Sequence, residues 1–330
     1  LDHSGYLPAL VKQGFRGPIH ASPATCELAA VLLLDSAHLQ EEDARRANRY
    51  GYSRHAKALP LYTKADARRA IAQLMPLPTG RELRIGASRV HLTPAGHLLG
   101  ACAVRLEHRG TRILFSGDVG RSQDLLMPPP QPPESADVLL VESTYGNRDH
   151  GFEDTPGRLA AIVREAVGRG GSVVIPAFAV GSLLDGVRIV ADASASMRLS
   201  ASRYPRIIIS ASGMATGGRV LHHLKALAPD ERHAIVFAGF QVGGSRGARL
   251  VAGEREVKIH GEYVPVRAAV HHLQGFSGHA DRRELLQWLR GMRGTAPAKT
   301  FVVHGEAEAA DAMRQSIERE LGWRDVRVPQ

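Results

Sequence analysis

Short apolar runs of the β-strand type recur along this chain, with helical segments between many of them, and this alternation favours a layered α/β fold. Residues 81–92, 103–107, 111–116 and 138–142 are such runs. Several of them end in a small, glycine-containing turn that is followed by a histidine or a carboxylate. Because open α/β sheets bind ligands at the carboxyl ends of their strands, these polar residues are expected to meet at one edge.

Two helix starts are marked by capping residues. Ser22-Pro23 provides an N-cap followed by proline at the first helical position, and it predicts a helix that ends near residue 39. Residues 40–62 carry many charges and several tyrosines, and a loop is expected there. Thr63-x-x-Asp66 resembles a capping box and predicts a helix over 64–75.

The composition narrows the class of partner. The 330 residues include 42 Lys and Arg against 33 Asp and Glu, a net charge of +9, which favours an anionic partner and nucleic acid first. The alternative is an arginine-rich composition without functional meaning. No apolar run of about 18 residues predicts a membrane span, and the start lacks the layout of a signal peptide. Cys26 and Cys102 have no metal or redox spacing, so a reducing cytoplasm is expected.

Five positions stand out as candidate metal ligands. Asp2-His3 opens the chain, His97 follows a turn after a strand-type run, Asp118 follows Phe-Ser-Gly, and His304 follows Phe-Val-Val. Imidazole and carboxylate ligands suit Zn²⁺ or a similar divalent ion. Each position alone is weak evidence, but their common setting favours one shared site.

Other histidines have no such setting and are expected to be structural or solvated: His38, His55, His108, His150 and His260. The pairs His222-His223, on a helix face, and His271-His272, in a loop, are interpreted as non-ligands, with phosphate contact by one of them left open.

Two glycine-rich loops are candidate phosphate-binding sites, because backbone N–H groups and a helix N-terminus favour an anion. The first follows a strand-type run and precedes a helix, and the second adds an arginine. The alternative is two ordinary tight turns. The candidate residues are Ser212, Gly213, Thr216, Gly217, Gly218 and Arg219 in the first loop, and Ser245 and Arg246 in the second.

These residues, in this order, resemble the metallo-β-lactamase-fold nucleases of the β-CASP group over nearly the whole chain. Asp2-His3 matches the end of the family motif His-x-His-x-Asp-His, and His97 and Asp118 match the next two motifs. The three β-CASP motifs match Glu142 in Val-Glu-Ser-Thr-Tyr-Gly, His279 in Gly-Phe-Ser-Gly-His-Ala-Asp, and His304 in Val-His-Gly-Glu. The first glycine-rich loop is also typical of the family.

The resemblance implies an α/β fold, a four-layer αββα metallo-β-lactamase sandwich with an inserted α/β β-CASP domain. Residues 1–150 and 269–330 would form the sandwich domain, and 151–268 the inserted domain.

The resemblance also implies roles for the site residues. One zinc ion would be held by Asp2, His3, Asp118 and His304, and a second by His97 and Asp118, with Asp118 bridging. Two such ions would activate a hydroxide and neutralise a phosphodiester. His279 would donate a proton to the leaving oxygen and Glu142 would orient it, so that Asp2, His279 and Glu142 are the expected catalytic residues. A histidine at position 304 is similar to the RNA-directed branch.

The chain departs from the family pattern at two places. The two histidines that precede Asp2 in the motif are absent, with the strands before them, so apolar surface on 103–106 and 111–115 is expected to lack a partner. The inserted domain is expected to be shortened over 182–203. The two explanations are a fragment of a longer enzyme, which the start within a motif favours, and a degenerate member that binds without cutting.

Three hypotheses for function follow. The first is a zinc-dependent ribonuclease that acts in RNA processing, with RNA as its partner and no membrane. The second is a catalytically impaired RNA-binding or scaffold protein of the same fold. The third is a metallo-hydrolase acting on another phosphoester or a thioester. A homodimer is left open.

Overall fold

The chain divides into two compact units. The computed structural model describes residues 2–51, 53–124, 126–151, 154–177, 190, 193–201 and 204–329. The larger unit combines the chain up to Asp149 with the segment from Gly278 onward, and the smaller unit is His150–Ser277. The smaller unit continues past residue 268, the predicted end of the inserted domain.

The larger unit contains most of the secondary structure. Its first segment contains α1 (Leu7–Lys12), β1 (Ile19–Ala21), α2 (Pro23–Tyr50), α3 (Lys64–Ile71), β2 (Leu74–Pro76), β3 (Leu83–Ile85), β4 (Ser88–Pro94), β5 (Cys102–His108), β6 (Thr111–Phe115) and β7 (Val138–Val141).

The smaller unit alternates helices and strands: α4 (Thr155–Gly168), β8 (Val173–Pro176), α5 (Ala193–Ser200), β9 (Ile207–Ser210), α6 (Val220–Leu227), β10 (Ala234–Ala238), α7 (Arg246–Val251), β11 (Glu256–Ile259), β12 (Glu262–Pro265) and β13 (Ala269–Leu273). The larger unit then resumes with α8 (Arg282–Arg290), β14 (Lys299–Val302), α9 (Ala307–Ser316), a π-helical turn (Ile317–Leu321) and β15 (Val326–Arg327).

A seven-stranded mixed sheet forms the centre of the larger unit, in the order β15-β14-β7-β6-β5-β4-β3. The strands from β15 to β6 are parallel, and β5, β4 and β3 are joined antiparallel. One face of this sheet packs against α8 and α9. The core there includes Leu114, Leu139, Val141, Leu285, Leu289 and Met313.

The other face of this sheet is also apolar but less buried. Val104, Phe115, Leu140 and Phe301 form a row across four neighbouring strands, and Phe115 is 38% exposed. Within the described residues this is the only large sheet of the larger unit. The exposure of Phe115 shows that this face of β6 is only partly covered by the described residues.

The helix starts were predicted better than the helix ends. Ser22 caps α2 by accepting a hydrogen bond from the Thr25 N–H, and the capping box at Thr63 and Asp66 is formed. The expected loop over 40–62 is wrong in its first half, because α2 continues to Tyr50. The predicted helix over 64–75 ends at Ile71, and β2 follows it.

The smaller unit is built on a parallel sheet of order β13-β10-β8-β9. Because β13 pairs with β10, residues 269–273 belong to this sheet. The expectation that His271-His272 lie in a loop is therefore wrong, since both are on β13. Most of the stretch 181–204 lies outside the described residues. None of the helices in the described parts of the chain combines the length and hydrophobicity that crossing a bilayer requires.

Candidate metal centre

Three loops of the larger unit are joined by backbone contacts beside the carboxyl ends of its strands. The Gly120 N–H donates to the Ala95 carbonyl at 2.7 Å, and the Ala280 N–H donates to the Val119 carbonyl at 2.8 Å. The loops carrying His97, Asp118 and His279 are therefore fixed to one another by the main chain.

Glycine makes this approach possible. A β-carbon at Gly120 would lie 2.1 Å from the carbonyl carbon and oxygen of Gly96, so only glycine fits. Gly96 itself has φ of +75°, in the left-handed region that glycine adopts without strain. The glycines before and after the candidate ligands thus have a packing role that brings His97 next to Asp118.

A first group of candidate ligands comprises Asp2, His3, Asp118 and His304, with one ligand atom from each within 4.8 Å of the others. His3 Nε2 is 3.1 Å from Asp118 Oδ1, and His304 Nε2 is 3.2 Å from Asp2 Oδ2. His304 Nδ1 is 3.5 Å from Asp118 Oδ1. The structure brings together the four residues that the sequence grouped.

A second group comprises His97, Asp118 and His279. His97 Nε2 is 3.7 Å from Asp118 Oδ2, and the rings of His97 and His279 are 4.2 Å apart. Asp118 belongs to both groups, one carboxylate oxygen facing each. His279 is an additional member of this group. The family resemblance implies only His97 and Asp118 as ligands of the second ion and a proton-transfer role for His279.

Glu142 is a buried carboxylate that contacts the segments carrying the candidate ligands. It is 1% exposed, and its Oε1 accepts the Val119 N–H at 2.6 Å. Its Oε2 lies 3.1 Å from His279 Nδ1 and accepts the Thr144 hydroxyl at 2.7 Å. Such a carboxylate can fix the orientation of the groups around it, and the orienting role of Glu142 stays a prediction.

The charges of the first group interact strongly. The hydrogen bond with Asp2 raises the pKa of His304 to about 9, and the same bond holds the pKa of the Asp2 carboxyl far below its usual range. The hydrogen bond with Asp118 raises the pKa of His3. A metal ion that binds here must displace protons from these rings, so its affinity depends on pH.

His97 and His279 differ from these rings. Burial, together with the neighbouring His279, lowers the pKa of His97. Burial also acts to lower the pKa of His279, but the hydrogen bond and charge of Glu142 outweigh it, and the pKa is raised. Within this group the environment therefore favours the neutral form of His97 and the protonated form of His279.

The residues present suit a divalent metal ion. Histidine nitrogens and carboxylate oxygens are ligands that zinc accepts, and four donors are enough for a tetrahedral site. The first group supplies four such donors, and the second supplies three with Asp118 shared. The larger unit thus contains a group of His and Asp residues able to hold metal.

The two glycine-rich loops lie side by side in the smaller unit. The Gly247 N–H donates to the Met214 carbonyl at 2.9 Å, and Ser212 and Thr216 share a hydroxyl hydrogen bond at 3.0 Å. Ser245 caps α7. The Arg246 guanidinium donates to the backbone carbonyls of Lys258 and Ala215.

These contacts give Arg246 a structural role that the sequence did not suggest. Ser212, Thr216 and Arg219 lie at or near the surface, with Gly217 and Gly218 between them, whereas Gly213 is buried. Phosphate binding by the first loop stays a prediction.

Two further residues of the site were missed by sequence reasoning. Ser116 accepts the Glu142 N–H at 3.0 Å, and Thr144 contacts both Glu142 and His304. Both belong to motifs that were noted, Phe-Ser-Gly-Asp and Glu-Ser-Thr-Tyr-Gly. In the sequence, each is only a hydroxyl residue close to a predicted site residue. Serine and threonine are so common after strands that this position alone does not predict a role.

Comparison with known proteins agrees with this architecture. The Beta-Casp domain model matches residues 172–250, and the model described as a Zn-dependent metallo-hydrolase RNA specificity domain matches residues 263–329. The chain is 33% identical to ribonuclease TTHA0252 of Thermus thermophilus, over 93% of this chain and 80% of that protein.

Two longer relatives are transcription termination factors named FttA. The factor of Pyrococcus abyssi is 30% identical over 98% of this chain and 58% of its own length. The factor of Methanocaldococcus jannaschii is 27% identical over 97% of this chain and 60% of its own length. The chain thus spans a little over half the length of these factors.

Three findings together identify a metallo-hydrolase of the metallo-β-lactamase fold with a β-CASP insertion: the mixed α/β architecture, the grouped His and Asp residues, and the matches to the two domain models. The chain belongs to the β-CASP metallo-β-lactamase family of RNA nucleases.

Proposed function

We propose that this chain forms the active centre of a zinc-dependent ribonuclease that hydrolyses RNA phosphodiester bonds. The observation that carries the proposal is the grouping of Asp2, His3, His97, Asp118 and His304 around one shared carboxylate. Similarity to a protein named a ribonuclease supports RNA as the substrate, as does the net charge of +9.

The proposed site would hold two zinc ions, one at Asp2, His3, Asp118 and His304, and one at His97 and Asp118. Bound zinc supplies Lewis-acid activation of water and neutralisation of the phosphate charge. Asp118, which directs one carboxylate oxygen toward each group, would contribute a ligand to both positions. The ring of His279 lies 4.2 Å from the ring of His97, which belongs to the second position.

His279 is proposed as the general acid. Its Nδ1 faces the buried Glu142 at 3.1 Å, so Nε2 is the nitrogen left to hold a proton for the leaving oxygen. Burial acts to lower the pKa of His279, but the hydrogen bond and charge of Glu142 outweigh it and favour the protonated ring. Glu142 fixes the ring, and the Val119 N–H fixes Glu142.

Cleavage of a labelled RNA by the zinc-loaded protein tests this proposal. His279→Ala should reduce the rate by about 10²- to 10⁴-fold, the range expected for loss of a general acid, and Asp118→Ala should reduce both zinc content and rate. His55→Ala, at an exposed position outside both groups of candidate ligands, is the matched control. Equal rates for His279→Ala and the control would contradict the mechanism.

A second candidate function is RNA binding without cleavage. The observation that favours it is the second group, which has only His97 and Asp118 besides His279 within the described residues. If His279 serves as a ligand there, it cannot also donate the proton. Zinc analysis separates the two: two ions per chain with turnover support the ribonuclease, whereas one ion, salt-sensitive RNA binding and no turnover support the binding protein.

A further inference from the structure

Thr144 links the buried carboxylate of Glu142 to the ring of His304. It is 6% exposed and follows β7 by three residues. Its Oγ1 is 2.7 Å from Glu142 Oε2 and 3.2 Å from His304 Nδ1. The hydroxyl therefore lies between an acceptor and a ring nitrogen that can be either a donor or an acceptor.

The direction of these hydrogen bonds follows from proton counting. Both oxygens of Glu142 act as acceptors, because Oε1 receives the Val119 N–H and Oε2 receives the Thr144 N–H. A hydroxyl has a single proton. The 2.7 Å contact with Glu142 Oε2 assigns it to Glu142, because the other acceptor in reach, the His304 carbonyl, is 3.3 Å away. Toward His304, Thr144 Oγ1 can then only accept, so Nδ1 must carry a proton.

We infer that Thr144 is a positioning residue that holds His304 in the form with Nδ1 protonated and Nε2 available to a metal ion. The Nε2 atom lies 3.2 Å from Asp2 Oδ2, beside another residue of the first group. A ring with both nitrogens uncommitted could bind metal through either one, and the partner of the second nitrogen decides which.

The same chain of hydrogen bonds reaches His279. Glu142 Oε2 accepts from Thr144 and lies 3.1 Å from His279 Nδ1. One buried carboxylate therefore orients two histidines, His279 directly and His304 through the Thr144 hydroxyl. The inference rests on the metal site of the proposed function, but it concerns the ligand atom rather than the reaction.

Three variants isolate the hydroxyl. Thr144→Val keeps the volume and removes the hydroxyl, and Glu142 retains the Val119 and Thr144 N–H groups as partners. Thr144→Ser restores the hydroxyl. Thr300→Val is the matched control: Thr300 is fully buried on β14, and its hydroxyl has no hydrogen-bond partner among the described residues.

The test measures metal binding without substrate. Zinc affinity is measured by competition with a chromophoric chelator, and the bound nitrogen of His304 is identified from ¹¹³Cd–¹⁵N couplings in the cadmium-loaded protein. We expect wild type to coordinate through Nε2. Thr144→Val should bind zinc about 10- to 100-fold more weakly, as for other residues that orient a metal ligand, and should lose the single Nε2 coupling. Thr144→Ser and Thr300→Val should behave as wild type.

The inference is overturned if wild type coordinates through Nδ1 of His304, or if Thr144→Val binds zinc as Thr300→Val does and keeps the Nε2 coupling. These outcomes leave the proposed ribonuclease intact. Absence of zinc and cadmium binding by wild type would instead overturn the metal site, and this inference with it. A Thr144→Val protein that is not folded, by its denaturant transition, is replaced by Thr144→Ala, for which the same loss and the same contradiction apply.

Discussion

At the scale of single residues, buried polar groups decide what the ligands can do. Glu142 is almost completely buried and receives donors from three different segments of the chain. A buried carboxylate is stable only with such partners. The free-energy cost of burying Glu142 is therefore linked to the geometry of the site. The hydrogen bonds that offset this cost are the same ones that orient His279 and His304.

Buried histidines away from the site have a different effect, on stability. His223, on α6, is 2% exposed and lies between the hydroxyls of Ser196 and Ser200. Contact of His223 with phosphate, left open by the sequence, is incompatible with this burial. Its pKa is lowered by burial first, and then by the neighbouring His222 and Arg219.

This lowered pKa predicts acid sensitivity of the fold. Because the folded pKa of His223 is below the unfolded value of about 6.5, the unfolded state takes up its proton first as the pH falls. The contribution of neutral His223 to the free energy of unfolding is therefore fully present above pH ~6.5 and decreases as the pH falls below that value. Denaturant midpoints measured from pH 7.5 to 5.5 should therefore fall less steeply for His223→Gln than for wild type.

The matched control for this experiment is His55→Gln at an exposed position, which should retain the wild-type slope. A His223→Gln protein with the same slope as the control would show that His223 does not contribute to the pH dependence.

At the scale of secondary-structure elements, the helices begin where their capping residues predict, but they do not end at the predicted residues. The caps at Ser22 and Thr63 are formed as predicted, because capping depends on three or four adjacent residues. The end of α2 depends on distant residues. Asn48 exchanges two hydrogen bonds with the backbone of Ala58, and the Gln40 side chain accepts the Leu61 N–H.

The same distinction applies to the site. The grouping of Asp2, His3, Asp118 and His304 could be predicted from a motif, because each follows a strand of one sheet or opens the chain beside it. The role of Thr144 could not, since it depends on a 3.2 Å contact with a residue far away in the sequence. The entry of His279 into the second group likewise required coordinates.

The close approach of two glycine turns predicts a site-specific effect of a single methyl group. In Gly120→Ala the new β-carbon would meet the Gly96 carbonyl at 2.1 Å, and the loops of His97 and Asp118 would have to separate. We expect a loss of about 1–3 kcal/mol in unfolding free energy, as for overpacking, and weaker zinc binding. Chemical denaturation and chelator competition measure the two effects.

Gly168→Ala is the control for Gly120→Ala. Gly168 ends α4 with nothing within 4 Å of an added β-carbon, so this change should stabilise the protein slightly or leave it unchanged. If Gly120→Ala retained wild-type stability and zinc affinity, the close contact of the two turns would not be what holds His97 beside Asp118.

At the scale of the whole molecule, charge is the property that bears on the substrate. The net charge of +9 is spread along the chain rather than collected in one tail. A distributed positive charge attracts a polyanion without reading its sequence. Specificity for RNA would then have to come from local contacts, and affinity from charge.

If charge supplies the affinity, RNA binding should depend strongly on salt concentration and should not require the metal site. The logarithm of RNA affinity should fall linearly with the logarithm of salt concentration. For roughly half a dozen phosphate contacts, the affinity should fall about a thousandfold between 50 and 200 mM salt. Fluorescence anisotropy with a labelled RNA measures the slope, and His279→Ala should have nearly the same slope as wild type because the variant leaves all 42 Lys and Arg residues in place.

An oligomer with the same bases on an uncharged backbone is the control, and it should bind weakly at every salt concentration because it releases no counterions. A slope near zero for RNA, or equal binding of the uncharged oligomer, would mean that contacts with the bases supply the affinity. In that case the positive charge of the chain would be a property of its composition, and recognition would have to be sought in the surface of the two glycine-rich loops.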